Sequence, residues 1–493
     1  MGPIMKRSSS LDREWLVLWI FKVPNAQEKN MITLTFDGKD DLNQQIYRGL
    51  VREIASERLK AGDRLPSRRS LAMHLGVSLN TVKKAYGQLL DEGFIRSKER
   101  SGFYVDQLNP TLLYQVEAEG PRKEAVEAEE ELREKKWKFN FSYAATDPGQ
   151  AQKKVWGRLA KRSMEEVLLG RSSNAGQHWA LKKAVAAYLS SHRGVDTAAK
   201  NILLTTGYAE NLLLLFMLLK DPIFAVEDPG YLRTDPIFRA AGKKFLPIAI
   251  DPFGFSVAGL RKSPANIALT TPNHQFPTGI IMGLRRRQEL LSWAEEKPGR
   301  YVLEDDYDSD FKYSGKTIPA LKSLDQKGRV IMSGSFTQSI GSFLAVSYLV
   351  LPDPLLKDFQ GLKIPKGKVS PIQEILLEKY LSTGAFDRHV NHMNTFYRNK
   401  REGLIRALRE RDPEVIIQGS EAGLHFLLGF RRPIPPPSVL QKRARQRGIF
   451  LKSVDDYRRK PIHDNLYLVG FGGIAADEIP EAAEALLGLF EGK

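Results

Sequence analysis

Apolar residues recur at helical spacing in three segments between residues 42 and 92. This spacing predicts three amphipathic helices, the first followed by Gly62 and the last two separated by a tight turn at Gly76. Ser67 and Ser78 stand at the starts of the second and third helices, where a serine hydroxyl accepts a hydrogen bond from a free backbone N–H. The positions predicted to face inward are Ile46, Leu50, Ile54, Leu71, Ala72, Leu75, Val82, Ala85, Tyr86 and Leu89.

The segment after the third helix changes to an alternating pattern. Residues 93–105 alternate apolar and polar side chains around a central turn, which predicts a two-stranded wing. Helices followed by a wing form a winged helix-turn-helix, which we predict for residues 31–106. Because such a domain reads base edges and phosphates with the start of its third helix, the predicted partner is double-stranded DNA.

Candidate DNA contacts are the polar and basic side chains left on the outward faces. Between Arg48 and Arg100, twelve Lys or Arg residues stand against six Asp or Glu residues, a surplus that suits a polyanion. The alternative is a small solvated helical domain with ordinary surface lysines, but caps, turn, spacing and wing together favour the winged domain. The predicted DNA-contacting residues are Arg64, Ser67, Arg68, Arg69, Ser78, Asn80, Thr81, Lys83, Lys84, Arg96, Lys98, Arg100 and Gly102.

From residue 139 onward, helix-length periodic stretches alternate with short apolar runs. This alternation predicts an α/β fold with a mostly parallel sheet in a large domain, residues 139–365, followed by a smaller α+β domain, residues 366–493. The predicted strands are 202–205, 223–226, 267–270, 301–303, 330–332, 348–351, 424–429 and 466–470. The predicted helices are 180–191, 209–219, 284–296, 373–383, 387–409 and 436–447.

A charged segment separates the two predicted globular parts. Gly120 and Pro121 break the chain, and residues 122–136 are almost wholly Glu, Lys, Arg and Ala. Such a sequence forms a solvated helix or a flexible spacer, so residues 107–138 are predicted to be a linker. Residues 1–30 are predicted to be an N-terminal extension or the product of a start codon assigned too far upstream.

Composition narrows the chemistry that the chain can perform. The 493 residues include no cysteine, which excludes disulfides, thiolate metal sites and cysteine nucleophiles, and the net charge of +16 agrees with nucleic-acid contact. The apolar run at residues 15–21 is far shorter than the roughly 20 residues that span a bilayer. We therefore expect a cytoplasmic protein with no membrane partner. We expect no metal site, because the histidines are scattered and look structural, among them His274, His389, His392 and His425.

Two sets of motifs resemble known families. LPSRRSLA at residues 65–72 and LGVSLNTV at residues 75–82 resemble the GntR family of bacterial repressors. Five further motifs, in family order, resemble fold-type I aminotransferases as fused in the MocR/GabR subfamily of GntR regulators. The resemblance implies a bacterial transcription regulator that forms a head-to-tail homodimer. The five motifs are VEDPGY at 226–231, TPNHQFPTG at 271–279, EDDYDSDF at 304–311, GAFDRH at 384–389 and LVGF at 468–471.

The aminotransferase resemblance implies a site for pyridoxal phosphate (PLP). Asp305 follows a predicted strand and matches the family's aspartate that pairs with the pyridinium nitrogen, and open α/β sheets bind ligands at the carboxyl ends of strands. Tyr307 matches the hydroxyl partner of the ring oxygen, and Tyr208 and Asn273 complete the implied cofactor set. The alternative is that Asp305 and Asp306 cap the following turn.

The lysine that holds PLP in this family has no counterpart in the aligned motif. The family pattern Gly-Ser/Thr-Phe-Ser-Lys-Ser appears as GSFTQS at residues 334–339, so Gln338 stands at the lysine position, and an amide nitrogen cannot form a Schiff base. Ala345 replaces the expected phosphate-binding arginine, and Leu468 is the nearest match to the carboxylate-binding arginine. Glu210 brings a negative charge to the helix start that receives the phosphate. We therefore expect a degenerate cofactor site with no catalytic residue.

Three functions remain open from the sequence. The leading interpretation is a regulator whose aminotransferase-like domain serves as an effector or dimerisation domain, with a small molecule as its effector. The second is an active PLP-dependent aminotransferase or a PLP-responsive regulator that uses another lysine, with Lys312, Lys316 and Lys322 as candidates. The third is a structural dimeric regulator whose large domain binds no ligand.

Overall fold

The chain divides into two compact units, Met1–Lys135 and Lys136–Lys493. The computed structural model describes residues 41–55, 59–98, 101–106, 137–147, 152–170, 179–313, 319–341, 343–362 and 369–491. The predicted extension at 1–30, the first ten residues of the predicted winged domain and nearly all of the predicted linker lie outside these residues.

The first unit contains the predicted helix-turn-helix and wing. The Ser67 hydroxyl accepts from the backbone N–H of Ser70 at 3.1 Å, and the Ser78 hydroxyl accepts from that of Thr81 at 3.1 Å. Gly76 closes the turn between the two helices with a φ of 66°, a left-handed conformation that favours glycine. The elements are α1 (Leu42–Ala55), α2 (Arg68–Leu75), α3 (Leu79–Asp91), β1 (Ile95–Lys98) and β2 (Gly102–Val105).

The residues predicted to face inward form the core of this unit. Nine of the ten are buried, and Leu75 packs against them partly buried. Tyr86 connects this core to the turn before α2, because its hydroxyl donates to the carbonyl of Pro66 at 2.9 Å. The caps and the apolar spacing were thus sufficient to predict this unit.

The second unit is built on an eight-stranded mixed sheet with the order β4-β11-β10-β9-β8-β5-β6-β7. Neighbouring strands from β10 to β6 run parallel, whereas β11 is antiparallel to both of its neighbours and β7 is antiparallel to β6. The strands are β4 (Ile202–Thr205), β5 (Ile223–Asp228), β6 (Lys244–Asp251), β7 (Gly254–Phe255), β8 (Ile267–Thr270), β9 (Tyr301–Asp306), β10 (Val330–Ser335) and β11 (Ser347–Val350).

A smaller antiparallel sheet has the order β12-β13-β16-β15, and β3 pairs with β14 beside it. Its core includes Phe426, Val469, Leu486 and Phe490, all essentially inaccessible to solvent. The elements are β3 (Phe139–Asn140), β12 (Val415–Gln418), β13 (His425–Phe430), β14 (Ile449–Phe450), β15 (Lys452–Ser453) and β16 (Tyr467–Gly470).

Helices cover both sheets of the second unit. In the part of the chain that the structure describes, none of the helices is long and apolar enough to cross a membrane. The α-helices are α4 (Lys153–Leu168), α5 (Trp179–Tyr188), α6 (Tyr208–Leu218), α7 (Thr234–Ala240), α8 (Val257–Lys262), α9 (Leu284–Glu295), α10 (Thr337–Ile340), α11 (Asp353–Gly361), α12 (Pro371–Ser382), α13 (Ala385–Arg411), α14 (Pro437–Gln446) and α15 (Ile479–Leu487). Short π or 3-10 turns span Leu189–Arg193, Ala199–Asn201, Leu321–Leu324 and Val454–Tyr457.

The packing differs from the domain boundary predicted at residue 365. α12 buries Leu377 and Tyr380 in the same core as Leu181 and Val185 of α5, so this helix packs with the large sheet. Conversely, Phe139 lies in the core of the smaller sheet. The periodicity of a segment predicts that one face is buried, but it does not say which sheet that face covers.

A buried ion pair joins the end of β9 to the π turn at Leu189–Arg193. The guanidinium of Arg193 donates to both carboxylate oxygens of Asp306, from Nε at 2.8 Å and from Nη2 at 2.9 Å. Both side chains are almost fully buried, with exposed fractions of 3% and 2%. Removing one partner would leave the other as an uncompensated charge in the interior.

We expect Arg193→Met to destabilise the second unit by about 3–5 kcal/mol, because the Asp306 carboxylate loses both charge-assisted hydrogen bonds. The control is Arg261→Met, which breaks a 2.6 Å contact with Glu296 that is 46% and 41% exposed. This surface pair should contribute only about 0–1 kcal/mol. The free energy of unfolding in urea measures both, and equal losses would contradict the expectation.

Candidate functional site

The predicted DNA-contacting face of the first unit is largely exposed. Thr81 and Gly102 are partly buried, and Arg100 lies outside the described residues. The first turn of α3 contains no acidic residue, so the positive end of its helix dipole adds to the charges of Lys83 and Lys84. The exposed members of the predicted set are Arg64, Ser67, Arg68, Arg69, Ser78, Asn80, Lys83, Lys84, Arg96 and Lys98.

Several members of this set also hold the local structure together. Ser78 caps α3, and its hydroxyl lies 2.7 Å from that of Thr81. The Arg68 guanidinium lies 5.2 Å from the ring centre of Phe103, and Arg96 lies 3.9 Å from the Asp106 carboxylate. These contacts fix the start of α3 and the wing, while Lys83 and Lys84 extend from the exposed face.

The second unit contains a cavity of about 380 Å³ at the carboxyl ends of its parallel strands. A crevice at this edge is where open α/β sheets bind ligands. Of the predicted cofactor residues, Tyr208, Asp305, Tyr307 and Gln338 all line the cavity. The other lining residues are Tyr143, Ala144, Thr146, Gly207, Asn211, Tyr231, Arg233, Thr271, Phe276, Ser333, Gly334, Ser335, Thr337 and Ser347.

Strand alternation at the end of β9 explains why Asp305 alone of three consecutive acids faces the cavity. On the other side of the strand, Asp306 binds Arg193, and the Glu304 carboxylate accepts from the backbone N–H groups of Leu321 and Lys322 at 2.8 Å. The capping alternative is therefore wrong, since Asp306 binds an arginine and Asp305 lines the cavity.

Asp305 is a carboxyl group that makes no hydrogen bond or ion pair with any of the described residues. Burial and the negative charges of Asp306 and Glu227 raise the pKa of the Asp305 carboxyl well above its usual range. A cation bound at this carboxyl would oppose these effects and favour its ionised form.

Asn273 does not line the cavity, in contrast to the prediction. Its amide donates to Glu304 at 3.1 Å and to Asp306 at 2.8 Å, and its oxygen accepts from Arg287 at 3.0 Å. These partners belong to the buried network on the opposite side of β9. The motif placed Asn273 near the strand ends correctly, but it did not reveal the side to which the amide turns.

An aromatic wall, defined here as Tyr143, Tyr231, Phe276 and Tyr307, encloses part of the cavity. The Tyr143 and Phe276 ring centres are 4.6 Å apart, and Phe276 stands perpendicular to Tyr307 at 6.1 Å. Burial and the Asp308 charge raise the pKa of Tyr307 well above its usual range, so its hydroxyl stays protonated. Leu468 packs into the same cluster, so the position matched to the family's carboxylate arginine is apolar and buried.

Gln338 lies in the short helix α10, directly after the turn that follows β10. Its side chain makes no hydrogen bond within the described part of the chain. No lysine is present among the described residues that line the cavity. Of the alternative lysines, Lys312 and Lys322 do not line it, and Lys316 lies outside the described residues.

The start of α6 holds a carboxylate of the protein itself. Oε2 of Glu210 accepts from the backbone N–H of Thr206 at 2.7 Å and from its hydroxyl at 2.8 Å. Thr206 precedes Gly207, the N-cap of α6, so Glu210 does not accept from the N–H groups of the first helical turn, but it places a carboxylate beside this potential anion site. Ala345, at the predicted position of the phosphate arginine, is exposed and does not line the cavity.

The residues around the cavity do not fit PLP. The described lining has no amine to bind the aldehyde, and Glu210, which does not itself line the cavity, adds a negative charge at the helix start that would receive the phosphate. Asp305 and Tyr307 fit the ring of the cofactor, but the two anchors that fix it in the family are absent from the described cavity.

Arg233 and Tyr143 are cavity residues that the sequence interpretation missed. Arg233 precedes α7 and is exposed, and no hydrogen bond or ion pair of its side chain is found among the described residues. Tyr143 follows β3, far from Asp305 in the chain. Neither position belongs to an apolar pattern that could have indicated its place.

His274, Asp308 and His425 are brought together, although the sequence interpretation treated the histidines as scattered. Their potential ligand atoms lie within 4.8 Å of one another and all three residues are buried. Nδ1 of His274 lies 2.7 Å from Asp308, and Nε2 of His425 donates to the carbonyl of Pro277 at 3.1 Å. Burial is the largest single effect and lowers the pKa of His274, but the charge and hydrogen bond of Asp308, the Gly419 carbonyl and the Glu421 charge together outweigh it, so the net shift is upward. A hydrogen-bond network explains this cluster.

Comparison with known proteins assigns a known family to each of the two units. A model of bacterial regulatory proteins of the gntR family matches residues 42–105, and a model of aminotransferase class I and II matches residues 144–451. The chain is 33% identical over 451 residues to YdeL, an uncharacterised HTH-type transcriptional regulator of Bacillus subtilis, with 90% of this chain and 96% of YdeL covered. It is 28% identical over 486 residues to MocR, a probable rhizopine catabolism regulatory protein of Rhizobium meliloti, with 93% and 96% covered.

Among solved structures, the second unit resembles aminotransferases. The kynurenine aminotransferase of Pyrococcus horikoshii matches with a TM-score of 0.64 and 22% identity, covering 74% of this chain and 93% of that one. This likeness shows the fold of the second unit. The regulator relatives show that this fold is combined with a DNA-binding domain in one chain. The chain belongs to the MocR/GabR-type subfamily of GntR transcription regulators, in which a winged helix-turn-helix and an aminotransferase class I and II domain share one polypeptide.

Proposed function

We propose that this regulator acts without covalently bound PLP and that its aminotransferase-like domain is not an enzyme. The observation that carries the proposal is Gln338, a carboxamide in a cavity whose described lining has no lysine. A carboxamide does not form a Schiff base and is not a base that removes a proton from carbon. The domain would then serve to sense a ligand and to dimerise.

The DNA-binding part of the proposal rests on the exposed cations of α2, α3 and the wing. Lys83 and Lys84 extend from the first half of α3, the part of a recognition helix that enters the major groove. The subfamily resemblance suggests a head-to-tail homodimer that acts in the cytoplasm. The two winged helix-turn-helix domains of one dimer would contact an operator with two half-sites or repeats.

Selection of genomic fragments by the full-length protein tests this proposal. Fluorescence anisotropy on the enriched fragment should show specific binding, with the logarithm of the binding constant falling linearly as the logarithm of salt concentration rises. Addition of PLP should leave this affinity unchanged. Failure to enrich any fragment, or turnover of an amino donor with a keto acid in the presence of PLP, would contradict the proposal.

A further inference from the structure

Helix α4 of the second unit concentrates positive charge on its surface. Between Gln152 and Met164 the chain has five Lys or Arg residues and no Asp or Glu. All five side chains are exposed, and none of them forms an ion pair or a hydrogen bond with another described residue. The five residues are Lys153, Lys154, Arg158, Lys161 and Arg162.

Four of these cations lie on one side of the helix, within about 100° of one another around its axis. The other side of α4 packs into the core. Leu159 is buried there together with Tyr380 of α12, and the Trp156 ring stacks on the Tyr380 ring with the ring centres 4.1 Å apart. This packing fixes the helix and leaves the charged side open to solvent. The four cations, which we call the basic stripe, are Lys154, Arg158, Lys161 and Arg162.

The basic stripe lowers the stability of its own helix. Lys154 and Arg162 each lie four residues from Arg158, and like charges at this spacing on a helix repel each other. Lys153 and Lys154 occupy the first turn of α4, where the helix dipole favours negative groups, and this turn contains no acidic residue. An anionic partner bound along the stripe would offset both effects.

Two other arginine-rich helices of the second unit have compensated charges. In α9, both Arg285 and Arg286 pair with Glu289. In α14, Arg443 and Arg445 lie in the last turn, where the helix dipole favours cations. The basic stripe of α4 has neither kind of compensation, so its charge is better suited to a partner outside the described chain.

The length and the charge of the stripe match the backbone of duplex DNA. From Lys154 to Arg158 and from Arg158 to Arg162 the helix rises about 6 Å, so the stripe extends about 12 Å. Each strand of a duplex presents a phosphate about every 3.4 Å along the axis, so three or four phosphates of one strand fit this length. None of the stripe residues lines the cavity described above, so the stripe is open to an extended polyanion.

The polypeptide itself keeps DNA close to the stripe. Thirty residues, 107–136, separate the described parts of the two units, and a chain of this length spans at most about 100 Å. A duplex bound by the winged helix-turn-helix is therefore tethered to α4, which raises its effective concentration there. Among polyanions, DNA is thus the partner that this chain favours.

We propose that the basic stripe of α4 is a second DNA-contacting surface, an inference that rests on the DNA binding proposed above. The stripe binds phosphates of the duplex outside the half-site that the winged helix-turn-helix contacts. Because these contacts are made to the backbone, they add affinity without adding sequence preference. Operator binding then depends on the length of the DNA that flanks the operator.

Binding of the full-length protein to operator duplexes of two lengths tests the proposal. The short duplex ends at the limits of the operator, and the long duplex extends about 30 bp, or about 100 Å, beyond each end. At low salt the wild type should bind the long duplex about tenfold more tightly than the short one. The logarithmic salt slope should be steeper on the long duplex by about 3 for each stripe engaged, because each phosphate contact contributes about 0.9.

The stripe variant combines Lys154→Gln, Arg158→Gln, Lys161→Gln and Arg162→Gln. It should bind the short duplex as the wild type does and lose the extra affinity for the long duplex. Its melting temperature should equal or exceed that of the wild type, because repulsion between like charges is removed. The control variant removes the same amount of charge from exposed positions on other elements of the second unit, and it should keep the extra affinity. Its substitutions are Lys220→Gln, Lys244→Gln, Arg285→Gln and Lys357→Gln.

The proposal is overturned if the wild type binds both duplexes equally tightly, or if the control variant loses as much of the extra affinity as the stripe variant. It is also overturned if the stripe variant loses affinity equally for the short duplex. A changed sedimentation coefficient of the stripe variant without DNA would overturn it too, since the stripe would then contact a second copy of the chain. Failure of the broader proposal gives a different result, namely no specific binding of the wild type to either duplex.

Discussion

Replacement of Arg69 or Lys84 by alanine is expected to weaken operator binding by about 1–3 kcal/mol if the side chain contacts a base. This range corresponds to roughly 5- to 150-fold in the dissociation constant. Both side chains are exposed on the helix-turn-helix, Arg69 on α2 and Lys84 on α3. A side chain that contacts a phosphate instead should weaken binding to all sequences and lower the salt slope by about 1.

The matched control is Arg285→Ala, which removes an arginine that is 93% exposed on the second unit. Its operator affinity and salt slope should equal those of the wild type. Fluorescence anisotropy at several salt concentrations separates the two kinds of contact. Unchanged affinity and slope in both Arg69→Ala and Lys84→Ala would exclude the proposed contact surface.

Gln338→Lys alone is expected to bind PLP weakly, because the new amine is added to a cavity whose helix start is still negatively charged. Adding Glu210→Gln removes that charge and should strengthen PLP binding by about tenfold, or about 1.4 kcal/mol. Ala345→Arg is a further addition that would supply the cation found in the family motif. The measurement is the PLP dependence of visible absorbance, with the borohydride-reduced adduct mapped by mass spectrometry.

The control for the double variant is Gln338→Lys with Glu289→Gln, which removes an acid that lies on α9, paired with Arg285 and Arg286, instead of at the start of α6. Its affinity for PLP should equal that of Gln338→Lys. If Glu210→Gln gives no higher affinity for PLP than this control, the Glu210 carboxylate does not weaken phosphate binding at the start of α6. If the triple variant binds no PLP, Asp305 and Tyr307 do not frame a cofactor site at all.

The sequence predicted most of the first unit because its signals are local. A serine cap, a glycine turn and a helical repeat are each encoded within a few residues. Together these signals are compatible with only one arrangement of the helices. In the second unit, buried strands such as β4 and β8 were equally clear. β6 was missed because it carries Pro247 and lies largely on the partly exposed edge of the sheet, where the apolar signal is weak.

The cavity was predicted only in part, for a different physical reason. Asp305 lies at the end of β9 and Gln338 follows the end of β10 by three residues, and the carboxyl ends of parallel strands converge on one edge. Arg233 and Tyr143 reach the same cavity from loops, through tertiary packing that no local pattern encodes. Asn273 shows the converse: its motif placed it beside the right strand, but its amide satisfies buried carboxylates on the other side.

The most direct test of the central claim is the intact mass of the wild-type protein after incubation with PLP and reduction with borohydride. The amine required for a reducible adduct is absent from the described lining of the cavity, so we expect the mass of the unmodified chain and no visible absorption band. The same preparation should still bind its operator. An added reduced PLP group, mapped to any lysine at the cavity, would contradict the account.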